Sequence, residues 1–67
     1  MTTENEQRFV AEEDAAKILG LKVATLRDWR FRNVGPSFHR FGRAVRYRVR
    51  ALEEFARRSE VATGQSR

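Results

Sequence analysis

The residues of this chain best suited to chemistry are its cations, and what they suit is binding a polyanion. Between residues 21 and 50 stand Lys22, Arg27, Arg30, Arg32, Arg40, Arg43, Arg46, Arg48 and Arg50, against Asp28 alone, a net of +8. Residues 1–20 are the reverse, with five acids against Arg8 and Lys17, a net of −3. Residues 51–67 balance three against three, so the whole chain carries +5. Such a basic block is an electrostatic footprint for nucleic acid. Arginine outnumbers lysine twelve to two, and its planar fork suits phosphates and guanine edges. A GC-rich genome also favours arginine over lysine, but that bias does not gather the cations into one block.

Catalysis fits these residues poorly. There is no cysteine, hence no disulfide and no thiolate metal site. His39 is the single histidine, and the scattered acids do not complete a zinc site around it. No nucleophile–base–acid set, phosphate loop or metal cluster stands out. Neither an enzyme, nor a metal, nor a cofactor is expected.

Elements must hold the cations in place. Residues 20–32 read as a tight turn at Gly20 followed by a helix that starts near Lys22 or Val23. At 3.6 residues per turn, Leu26 and Trp29 share one face, with Thr25 and Arg30 beside it. Ala24, Arg27, Asp28 and Phe31 point the other way. An earlier helix, about residues 12–19, has an apolar face at Ala15, Ile18 and Leu19. Glu12, Glu13 and Asp14 occupy its first turn, where the helix dipole favours acids, and Gly20 ends it. Two short helices around a glycine outline a helix-turn-helix, whose second helix lies in a DNA major groove. The plainer alternative is a helical hairpin with a solvated outer face.

Asn33, Gly35 and Pro36 then break the second helix. Residues 37–41 and 45–48 alternate apolar and polar side chains around the loop at Gly42, Arg43 and Ala44, the pattern of a two-stranded hairpin. Val45 and Tyr47 face one side, Arg46 and Arg48 the other. Residues 50–58 form a last short helix with Leu52, Phe55 and Ala56 inward. Phe9 and Val10 fit either a short strand or an apolar lead-in to the first helix. The expected fold class is mainly α with a small β-hairpin, a winged helix-turn-helix. It spans residues 9–58 between disordered tails at 1–8 and 59–67.

Sixty-seven residues bury only a marginal core. No apolar run approaches the roughly 18 residues of a membrane helix. The acidic, polar start (residues 1–7) is unlike a signal peptide. A cytoplasmic, nucleoid-associated protein with no membrane partner is expected.

The sequence resembles the small MerR-like winged-helix domains of phage excisionases, also called recombination directionality factors. The similarity rests on residues 15–21 (AAKILGL), 25–29 (TLRDW), 35–48 (GPSFHRFGRAVRYR) and 52–55 (LEEF). It implies a non-catalytic double-stranded DNA-binding protein. Members often bind repeated sites, bend DNA and steer a site-specific integrase toward excision; others regulate transcription. The family usually opens its helices with Ser or Thr, where this chain has Ala11, Lys22 and Arg50. A missing N-cap costs about 1 kcal/mol, and a cation at a helix start opposes the dipole unless a phosphate binds there. DNA is therefore expected to stabilise the domain.

On this reading the recognition helix meets DNA through Lys22, Ala24, Thr25, Arg27, Asp28, Arg30 and Arg32. Arg27 is the expected base reader, at guanine. Arg30 and Arg32 are expected phosphate clamps. Asp28 either accepts from a cytosine amine or, the favoured role, orients Arg27 or Arg32. Lys22 and Thr25 suit phosphate or a base edge. On the wing, Arg43 at the tip suits a narrow minor groove, and Arg40, Arg46 and Arg48 suit the DNA backbone. Trp29 belongs to the core, His39 is a packed or surface histidine, and Phe31 tucks beside Phe38 rather than serving as an exposed partner contact.

Only nine residues follow Arg58, without heptads, which favours a monomer that assembles cooperatively along DNA over a stable dimer. A small transcriptional regulator is the alternative function. A protein-interaction module using Phe31 and the basic face on an acidic partner is a third. RNA binding is disfavoured because the hairpin is expected to lack exposed aromatic pairs for stacking single-stranded bases.

Overall fold

The structure, a computed structural model, describes residues 8–63. Of the tails expected at 1–8 and 59–67, residues 1–7 and 64–67 lie outside the described residues. Six elements follow in order: β1 (Phe9–Val10), α1 (Glu12–Leu19), α2 (Val23–Phe31), β2 (His39–Phe41), β3 (Ala44–Arg48) and α3 (Val49–Arg58). Three helices and a small antiparallel sheet make a winged helix-turn-helix.

The turn between α1 and α2 follows from Gly20. At φ 72° it takes the left-handed conformation. Its N–H donates to the Lys17 carbonyl (3.2 Å), and the Leu21 N–H donates to that of Ala16 (2.9 Å), the paired bonds of a Schellman stop. Asn33 does the same for α2 at φ 59°. Its N–H donates to Arg30 and that of Val34 to Trp29. Gly35 (φ 89°) lies against the indole, where an added Cβ would come within 2.6 Å of Trp29 Cε3. The expected break after α2 is therefore built on a packed ring as well as on turn residues.

Phe9–Val10 resolves as a strand. β1 pairs with β3 (Phe9 with Arg48, Val10 with Tyr47), and β2 pairs on the other side (His39 with Arg46, Phe41 with Ala44). The order is β1-β3-β2. Ala44 belongs to a strand rather than the loop, which leaves a two-residue turn, Gly42-Arg43. Gly42 supplies the positive φ (63°) that a tight hairpin needs at its first position. The sheet is thus three strands, with β3 central and paired with β2 in the hairpin and with β1 on its other side.

Val10, Ala15, Ala16, Leu26, Tyr47 and Leu52 form the core, with Leu19, Val23, Trp29, Phe38, Val45 and Val49 packed against it. Two expectations about inward faces are corrected. Ile18 is 46% exposed, because α1 packs on α2, α3 and β3 through Ala15, Ala16 and Leu19, and the two alanines allow a close approach. Ala56 is exposed, because α3 docks through Val49, Leu52 and Phe55, with the Phe55 ring edge-on to Trp29 (5.6 Å). α3 also starts earlier than expected, with Arg48 rather than Arg50 at its N-cap. Its first N–H, from Val49, donates to the Arg8 carbonyl (2.8 Å). No helix receives a side-chain cap at its N-terminus.

Candidate nucleic-acid interface

α2 presents its outer stripe as its periodicity dictates. Leu26 faces the core and is fully buried. Ala24, Arg27, Asp28 and Phe31, on the opposite side, are all exposed. Lys22 is exposed at the N-cap, Thr25 is half-buried, and Arg32 is exposed beyond the helix end. These residues share the surface that a helix-turn-helix lays against DNA.

The arginines of α2 are held by carboxylates. Arg27 Nη2 donates to Glu12 Oε2 at 2.6 Å, and its Nε reaches both Glu12 oxygens at 3.2 Å. Arg30 Nη2 donates to Glu12 Oε1 at 3.1 Å, and its Nη1 to the Tyr47 hydroxyl at 2.9 Å. Arg32 pairs with Asp28, Nη2 to Oδ2 at 2.9 Å. Asp28 therefore meets Arg32, one of its two expected partners.

Arg27 and Arg30 share an acid but differ in access. The Arg27 side chain is 63% exposed, that of Arg30 17%. Arg30 also lies over the Phe38 ring, 5.8 Å from its centre. This corrects the expectation of a free phosphate clamp at Arg30. Its guanidinium is engaged inside the fold as a strut joining α1, α2 and β3.

Glu12 is the residue that sequence reading missed, having been seen only as a favourable charge in the first turn of α1. Hydrogen bonding from Arg27 is the largest influence on its carboxyl. Partial burial opposes it, the Arg30 hydrogen bond adds to it, and the pKa ends below the ordinary 4.5. The Arg27 pKa is raised, mainly by its hydrogen bond to Glu12. Burial works against the charge of Arg30, but Tyr47 and Glu12 outweigh it, and that pKa is raised as well. Both cations stay charged at any physiological pH.

The wing completes an open cleft of about 440 Å³ in which Glu12, Glu13, Arg27 and Arg30 lie opposite Arg43 and Arg46. Arg43 sits exposed on the two-residue turn. Arg46 Nη1 donates to the Val45 carbonyl (2.8 Å). Arg40 lies over Phe38 (5.7 Å), and Arg48 over Phe9 (4.8 Å). The structure thus brings Arg27, Arg30, Arg43 and Arg46 around one cleft and places Arg40 and Arg48 against aromatic rings.

Two aromatic expectations are corrected. Phe31 does not tuck beside Phe38; it is 88% exposed. The ring that packs beside Phe38 is Tyr47, at 6.0 Å. The sheet also does carry exposed aromatics. Phe9 meets His39 (4.9 Å) and Phe41 (5.4 Å) edge-on, and His39 and Phe41 lie parallel, 6.0 Å apart. Residues two apart on β2 and the facing residue of β1 end on one side of the sheet, a cluster the hairpin pattern alone could not show.

The sequence pattern of the helix-turn-helix domain matches residues 12–60. The chain belongs to the helix-turn-helix domain family. That family includes excisionase-like DNA-binding proteins. No curated protein matches the chain. The match starts at Glu12, so it covers both helices of the motif, the hairpin and α3, and leaves only β1 outside. Among the described residues no helix is long and apolar enough to cross a membrane.

Proposed function

We propose that this helix-turn-helix domain is a sequence-specific double-stranded DNA-binding protein of the MerR-like winged type, without catalytic activity, acting as an excisionase. In this role it binds repeated sites, bends the DNA and directs a site-specific integrase toward excision. The observation that carries the reading is the shared cleft: Arg27, from the outer stripe of α2, and the wing-tip Arg43 line the same opening. A helix in the major groove and an arginine in the neighbouring minor groove would then engage adjacent faces of one duplex. Arg27 is the base reader, Lys22 and Thr25 approach phosphate or a base edge, Arg32 clamps phosphate, and Arg40, Arg43, Arg46 and Arg48 serve the wing contacts. A DNA-bound protein of this kind works in the cytoplasm, at the nucleoid.

Selection from a random duplex pool at moderate salt tests the reading. Direct repeats spaced near a helical turn support cooperative side-by-side assembly on DNA, as excision requires. A single inverted repeat instead supports a symmetric operator binder, the transcription-regulator reading. No enriched duplex, or tighter binding to a single-stranded competitor on the Phe9–His39–Phe41 cluster, overturns the proposal.

A further inference from the structure

Phe31 is the most exposed large apolar side chain among the described residues, at 88%. A phenyl ring left this open in water contributes nothing to the fold. It is also not at random on the surface. It lies one helical turn beyond Arg27 and Asp28 and two turns beyond Ala24, along the stripe opposite the buried Leu26. The Asp28–Arg32 pair beside it is internally neutral, with Arg32 Nη2 2.9 Å from Asp28 Oδ2.

The inference rests on the proposed function, with α2 in the major groove. A phenyl ring there makes no hydrogen bond to a base edge and gains nothing from a phosphate. The one apolar group that the major groove displays is the C5-methyl of thymine. We propose that Phe31 is a specificity-determining residue that reads a 5-methylpyrimidine, beside the base contact made by Arg27.

The probe is the duplex recovered by selection from a random pool, with each thymine replaced singly by deoxyuridine. That change removes the methyl group and keeps every hydrogen-bonding atom. Removing one fully buried methyl from the interface is expected to weaken wild-type binding about fourfold at one thymine position. Phe31→Ala is expected to bind the thymine and deoxyuridine duplexes equally, and Phe31→Leu to keep part of the preference. The ring is exposed, so Phe31→Ala is expected to keep the wild-type melting temperature, which separates a lost contact from a lost fold. A flat deoxyuridine scan in the wild type overturns the inference. So does an equal loss in wild type and Phe31→Ala, or DNA binding by Phe31→Ala that matches wild type on every duplex, which would point to a protein partner instead. A wild-type protein that binds no duplex at any salt would mean that the proposed function itself has failed. Salt-dependent wild-type binding with a flat scan removes the thymine contact alone.

Discussion

On α2 and at its C-cap, three arginines each meet a carboxylate: Arg27 and Arg30 share Glu12, and Arg32 meets Asp28. On the wing, Arg40, Arg43 and Arg46 meet none among the described residues. They rest instead on a ring, an open turn and a backbone carbonyl. A guanidinium held by an acid is aimed, and to reach another partner it must exchange one set of hydrogen bonds for another of equal quality. A bidentate guanine edge offers such an exchange, and a lone phosphate does so less well. A guanidinium with no acid keeps its full charge for any phosphate. Under the proposed function, the same residue type would serve discrimination on the helix and attraction on the wing.

The largest expected effect breaks the helix side of this comparison. Arg30→Ala removes the strut, leaves the Tyr47 hydroxyl without its Arg30 donor, and leaves Glu12 Oε1 with only the 3.2 Å bond from Arg27 Nε. The expected cost is about 2 kcal/mol, read as a lower urea midpoint. For a domain this small, each 1 kcal/mol corresponds to a melting shift of about 4–8 °C. Arg43→Ala, on the open turn, is expected to leave the midpoint unchanged.

Glu12→Gln comes next, with an expected loss of about 1 kcal/mol at neutral pH. The sign of its pH dependence follows from the lowered carboxyl pKa. Glu12 stabilises the fold fully above its ordinary 4.5, and that contribution fades as pH falls through the lower folded value. Urea midpoints of wild type and Glu12→Gln are therefore expected to differ at pH 7 and to converge in acid. A constant gap would mean that the carboxylate charge is not what matters. The variant also removes a negative charge from the cleft, so its affinity for unselected duplex is expected to rise.

A smaller effect concerns the bound state. With about six phosphate contacts, binding is expected to follow a log–log salt slope near −5, and loss of one wing arginine to reduce it by about 1. Titration at several salt concentrations reads both. The smallest effect is on thermal stability. Lys22 stands at an uncapped helix start, where a bound phosphate would meet both its charge and the free backbone N–H groups. Duplex DNA at low salt is expected to raise the melting temperature, and no shift would count against phosphate binding there.

Most of the fold was legible because its signals are local. Gly20, Asn33 and Gly35 mark turns whatever surrounds them, and the phase of Leu26 against Arg27 and Asp28 follows from helix geometry alone. What was not legible lies across the fold. Glu12 meets Arg27 and Arg30 through packing of α1 on α2, fifteen and eighteen residues apart in sequence, and no periodicity links them. The buried role of Arg30 depends on Tyr47, which arrives from a strand. Ile18 looked like core because it is isoleucine, but the two alanines beside it set how closely α1 approaches its neighbours. Phe31 points where the helical phase puts it, and the expectation that it would be covered came from its apolar character.

The division of labour between helix and wing is tested most directly by one ratio, the affinity for the selected duplex over that for a scrambled one. It would be measured at one salt concentration for wild type, Arg27→Ala and Arg46→Ala. Arg27→Ala is expected to collapse the ratio, with a loss of about 1–3 kcal/mol on the selected duplex and little on the scrambled one. Arg46→Ala is expected to weaken both duplexes alike and preserve the ratio. Equal changes of the ratio in the two variants would contradict the assignment of reading to α2 and attraction to the wing.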